Sequence, residues 1–182
     1  QIIRATLTHP PVICLAFAFA CYASQWTSVT SFLPSLYVEN GLSLKITGLL
    51  VSLVVVANLG GTFGAGILLQ KGWTSQKLLT IGFVGMFITS ILAFTTDHWL
   101  PFEIQFLSVV LFSMIGGVIP TTIFSMTLHY APHANAAAAS MGLVIQCSAL
   151  VQFFVPPLSA AFISVTHTWA SMSIMTSLLC LL

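Results

Sequence analysis

Charge is what this chain has least of. Asp, Glu, Lys and Arg make up 4% of its 182 residues, against roughly a quarter in a soluble globular domain. Four basic and three acidic residues in a chain that is 58% hydrophobic cannot cover a water-facing surface. The exterior would carry apolar patches far larger than soluble monomers show, so it is read as facing lipid. A net charge of +1 supplies neither a basic stripe nor an acidic tail. No nucleic-acid partner is expected.

Reactive constellations are missing as well. Cys14, Cys21, Cys147 and Cys180 lie in apolar runs without CxxC or Cys/His ligand spacing, and so read as packing residues. His129 and His133 are separated by Pro132, and no Glu follows His129, which excludes the helical zinc-protease motif. There is no Gly-x-Ser-x-Gly elbow. Glu39, Asp97 and Glu103 sit at the edges of apolar runs and are not paired within them. No catalytic residue, metal or cofactor is expected, and the chain is read as not an enzyme. The start at Gln1 and the uncharged stretch from Ala5 to Val38 also lack the charged opening and cleavage site of a secretory signal.

What the chain does have is apolar sequence in membrane-sized lengths. A hydrocarbon core of ~30 Å takes about 20 residues at ~1.5 Å each. Charges and turn formers divide the sequence accordingly. A first span covers 12–37, opened by His9-Pro10-Pro11 and closed by Glu39-Asn40-Gly41. A second covers 46–70 between Lys45 and Lys71, with Ser43 as N-cap. A third covers 78–96, and a short loop leads through Pro101 into a fourth at 102–128, forming an antiparallel hairpin. Past Ile104 there is no Asp, Glu, Lys or Arg, and polar islands at 129–135 and 164–168 delimit a fifth span at 137–163. The segment 169–182 is about two-thirds of a crossing at ~1.5 Å per residue.

Unbroken apolar runs exclude the alternation of a β-barrel and leave helices as the spanning structure. The expected fold is all-α: a polytopic membrane protein with a six-transmembrane-helix bundle whose last helix is truncated. Arg4, Lys71 and Lys77 fall on one side, and Lys45 on the other. Both termini are therefore expected to be cytoplasmic.

Amides at depth carry the functional signal, because an unpartnered amide in hydrocarbon is unfavourable. Gln25 lies mid-span beside Trp26, Asn58 lies mid-span in the second span, and Gln146 and Gln152 flank the middle of the fifth. Such groups either line a polar pathway or bond neighbouring helices. At about 100° per residue, Gln146 and Gln152 point roughly 120° apart and do not share one narrow pore. Gly60 and Gly64 form a GxxxG pair expected to admit a close helix. Gly116, Gly117 and Pro120 predict a kink or break in the fourth span, and Pro156-Pro157 a second bend in the fifth.

Between the second and third spans, Gly66-Ile67-Leu68-Leu69-Gln70-Lys71-Gly72-Trp73 resembles the Gly-x-x-x-Asp-Arg/Lys-x-Gly loop of major facilitator superfamily transporters. It departs at Gln70, where the family has Asp, and at Gly72, one place early, so Lys71 alone matches the basic position. Residues 135–158, with Ala136 to Ala139, Ser140, Gly142, Gln146 and Pro156-Pro157, are similar to the family's eleventh helix, and Phe32-Leu33-Pro34 to its seventh. The texture leans toward the bacterial cyanate and nitroimidazole-type permeases.

This resemblance implies the C-terminal half of a twelve-helix transporter in a bacterial inner membrane. Spans one, two, four and five would line a central cavity, with three and six outside. The implied function is secondary active or facilitated transport of a small solute by alternating access. Gln25, Trp26, Asn58, Gln146 and Gln152 would contribute to the pathway. The implied partners are the solute, membrane lipid and the N-terminal half of the same protein. The alternatives are a structural or regulatory membrane subunit, or an intramembrane enzyme.

Overall fold

In the computed structural model, which describes residues 2–94 and 101–166, short turns connect helices, and no strand occurs among the described residues. A short α1 (Ile2–Leu7) precedes α2 (Pro10–Glu39), α3 (Leu44–Gln70), α4 (Ser75–Phe94), α5 (Phe102–Gly116) and α6 (Val118–His129). A 3-10 turn (Ala134–Ala136) then leads into α7 (Ala137–Thr166). Among the described residues, five stretches are long and apolar enough to cross a membrane: α2, α3, α4, α5 with α6, and Ala134–Ala161. The chain is thus a polytopic helical bundle. The expected sixth span at 169–182 lies outside the described residues, as do positions 95–96 of the third.

Local chemistry explains where these helices start and stop. Pro10 and Pro11 occupy the first turn of α2, where a missing N–H costs nothing. The Ser43 hydroxyl accepts from the Ile46 amide at 3.4 Å and caps α3, as its position in the sequence predicts. α2 and α3 end alike, on glycines with φ of +84° and +86°, Gly41 and Gly72. Leu42 N–H donates to Tyr37 O and Gly41 N–H to Val38 O. Trp73 N–H donates to Leu68 O and Gly72 N–H to Leu69 O. This paired closure of the last carbonyls requires a left-handed residue, which glycine adopts without strain. Gly72, grouped by sequence with a loop motif, therefore has a local task as the terminator of α3.

The expected break in the fourth span is present. Pro120 has no N–H to offer the carbonyl four residues back, and the helix is interrupted at Gly117, between α5 and α6. Pro156 and Pro157, by contrast, lie inside α7, which continues to Thr166 without interruption. α1 was not anticipated from sequence; it packs against α7 and the 3-10 turn, burying Thr6.

α2 forms the heart of the bundle, with 67% of its apolar window buried, against 17% for α3 and for the α7 span. α2 runs along α7, whereas α3 and α4 both pack on α5 and α6. The shared core includes Phe19, Tyr22, Val54, Met86, Phe112, Ile119, Ile123 and Val144.

The α3–α5/α6 contact is very close. A Cβ at Gly61 would run into the Met114 carbonyl, and one at Gly117 into the Asn58 carbonyl. Side chains then bond backbone across the gap. Ser113 Oγ donates to Val54 O at 2.6 Å, Thr62 Oγ1 lies 3.1 Å from Gly117 O, and Thr121 Oγ1 donates to Thr62 O at 3.1 Å. The sequence expectation of close approach at Gly60 and Gly64 needs correction within this chain. A Cβ at either would meet nothing within 4 Å. The contact falls one residue on, about 100° around the helix.

The α2–α7 contact is of another kind. Among the described side chains of α7 the buried ones are Ser140, Val144, Ser148 and Ser159, and a hydroxyl pair, Ser28 Oγ to Ser159 Oγ at 3.3 Å, crosses to α2.

Candidate functional site

Three helices of the bundle border an open cavity of ≈180 Å³, lined by Phe19, Tyr22, Ala23, Trp26 and Thr27 of α2, Asn58 of α3 and Gln152 of α7. The α2 residues recur at intervals of three and four, which puts them on one helical face. Asp, Glu, Lys, Arg and His do not occur in this lining.

The wall on the α3 and α5 side is bonded from behind. Asn58 Nδ2 donates to Ser113 O at 2.9 Å and to the Tyr22 hydroxyl at 3.3 Å. Trp26 Nε1 donates to Ser113 Oγ at 3.4 Å, while that hydroxyl gives its own proton to Val54 O. Ser113 is thus the knot that joins α2, α3 and α5 behind the cavity. Thr27 differs from these residues. Its Oγ1 is buried and has no hydrogen-bond partner, although such a group ordinarily finds one.

Of the residues singled out by sequence, Trp26, Asn58 and Gln152 converge on this cavity. Gln25 is fully buried in the interior of the bundle, with no share in the lining, and Gln146 is exposed elsewhere on α7. That separation agrees with the roughly 120° between Gln146 and Gln152. Sequence reasoning missed Phe19, Tyr22, Thr27 and Ser113. The first three share the helical face of Trp26 and follow from its spacing, whereas Ser113 has no sequence signal that separates it from other serines in apolar runs.

A second cavity, of ≈410 Å³, lies between the α3–α4 turn and the end of α6, lined by Thr74, Ser75, Gln76, Ser125, Met126, His129 and Tyr130. Nearby, Lys71 is exposed and forms the C-cap of α3, and Gly66 lies half-buried in the last turns of α3. Among the described residues no group of His, Cys, Asp and Glu could hold a metal ion.

A family model described as Major Facilitator Superfamily matches residues 2–156 of the chain. No curated protein matches it.

Proposed function

This chain belongs to the major facilitator superfamily, a family of membrane transporters of small solutes and not of enzymes, and from that premise we propose that it moves a small solute by alternating access through the α2–α3–α7 cavity. The observation that carries this reading is the convergence of Trp26, Asn58 and Gln152, from three different helices, on one cavity. Polar groups held at depth beside a cavity are the usual way a membrane helix serves a solute path.

In this reading the chain is the C-terminal half of a twelve-helix transporter. The cavity is one side of a midplane site, completed by an N-terminal half. The broad apolar exposure of α3 and α7, including Leu53, Phe63, Phe153 and Phe154, supports a surface shared between that half and lipid. Arg4, Lys71 and Lys77 on one side against Lys45 on the other support cytoplasmic termini by the positive-inside rule, in a bacterial inner membrane. No group of the cavity wall carries a formal charge, so this side contributes no charged coupling residue. Transport is secondary active or facilitated, on the pattern of the cyanate and nitroimidazole-type permeases.

The test is independent of substrate. In the full chain with its natural cysteines replaced, a single cysteine is placed at Gln152 or, as a lipid-facing control, at Ile88. A membrane-impermeant maleimide is then applied from each side of the membrane. Position 152 is expected to label from both sides as the protein alternates, and position 88 from neither. A position 152 that labels from neither side overturns the pathway.

A further inference from the structure

We infer that Ser113 is a positioning residue for the cavity: its hydroxyl holds the Trp26 indole in place and ties down the turn of α3 that presents Asn58. This rests on the transport reading above, and its test separates the two.

Ser113 is fully buried in α5 and does not line the cavity. Its hydroxyl has one proton and gives it to Val54 O at 2.6 Å. What remains on that oxygen is lone pairs, so toward Trp26 it can only accept. The indole has one polar hydrogen, and Trp26 Nε1 directs it to the same oxygen at 3.4 Å. The short bond to Val54 O fixes the oxygen, and the fixed oxygen holds the N–H edge of the ring toward α5. Trp26, so anchored, is part of the cavity lining.

The same residue closes a ring of bonds with α3. Asn58 Nδ2 donates to Ser113 O at 2.9 Å, and the Ser113 hydroxyl donates to Val54 O, on the turn of α3 that precedes Asn58. The two bonds run in opposite directions across a gap so narrow that a Cβ at Gly117 would strike the Asn58 carbonyl. A shift of α3 along α5 would break both. Tyr22 joins the ring, because Asn58 Nδ2 also donates to its hydroxyl at 3.3 Å. Trp26, Tyr22 and Asn58 therefore take their orientation from one residue that lies outside the lining.

The first measurement uses the full chain in detergent with isotope-labelled tryptophan, and reads the indole N–H resonance of Trp26, assigned by its loss in Trp26→Phe. In the unaltered chain that proton is expected to exchange with deuterated water at least about tenfold more slowly than that of the exposed Trp73. Ser113→Ala should shift the resonance and speed its exchange about fivefold. Thr121→Val, which deletes another interhelical bond of the same kind, should do neither. A Trp26 proton as fast as that of Trp73 overturns the inference even if Ser113→Ala fails to fold, and so does an equal response to Ser113→Ala and Thr121→Val.

The second measurement asks whether the hydroxyl acts through Trp26. With the single cysteine at position 152, maleimide labelling rates are compared for Ser113→Ala, Trp26→Ala and the double variant. Ser113→Ala is expected to change the rate at least about threefold, and the double variant to match Trp26→Ala alone, as residues acting as a unit do. Additive effects overturn the positioning role. A position 152 that labels from neither side overturns the pathway and leaves the Ser113–Trp26 tie standing or falling on the indole signals.

Discussion

Two interfaces within the bundle solve the same problem differently. Between helices in a membrane, lipid tails are as apolar as leucine, so association depends on close packing and on interhelical hydrogen bonds. The α3–α5/α6 interface uses both: glycine seats at Gly61 and Gly117, and the hydroxyls of Ser113, Thr62 and Thr121 on facing carbonyls. The α2–α7 interface is extensive, and its buried α7 positions are small or modest, with the Ser28–Ser159 pair crossing it. The first is fixed in register by directional bonds to backbone. The second is a seam that packs mainly through small side chains. The solute cavity lies where the two meet, bonded to the fixed side through Asn58 and Trp26 and completed on the seam side by Gln152.

The sharpest way to break this contrast is at the glycine seat. Gly61→Ala should cost about 3 kcal/mol or more, because the new methyl meets backbone that cannot rotate away. Gly60→Ala, one residue earlier with open space around it, should stay within about 0.5 kcal/mol. Thermal unfolding of the purified full chain in detergent reads the difference, and equal midpoints for the two variants would remove the seat. Next comes Ser113→Ala, which deletes the bond to Val54 O and the acceptor of Trp26. It should cost about 1–2 kcal/mol by the same measurement. Ser28→Ala on the seam should cost least, about 0.6 kcal/mol. A seam variant more damaging than Ser113→Ala would reverse the ranking of the two interfaces.

Much of the architecture was legible because charges and turn formers mark where helices must leave the membrane. Lys45, Lys71 and Lys77 bracket α3 and the start of α4, Ser43 caps where it should, and Pro120 announces the interruption at Gly117. Rotation about each helix axis was not legible. A span that is apolar on all sides has no polar face to orient it. Nothing in the letters therefore distinguishes Gly60 from Gly61 as the packing glycine, or Gln25 from Gln152 as the amide beside the cavity. The candidate site was readable to the extent of Trp26, Asn58 and Gln152. Thr27 and Ser113 matter through their partners, or the lack of one, and those are set by tertiary packing.

The capped ends of α3 bear on the bilayer itself. Its 27 residues measure about 40 Å at ~1.5 Å per residue, beyond a hydrocarbon thickness of ~30 Å. A helix sealed by Ser43 at one end and Gly72 at the other cannot absorb that excess by fraying. The mismatch must go into tilt or into local thickening of the lipid. Because α3 is bonded carbonyl by carbonyl to α5 and α6, it cannot lean alone. A change in lipid chain length would be passed to these helices together, which makes membrane thickness a mechanical input to the wall that holds Asn58.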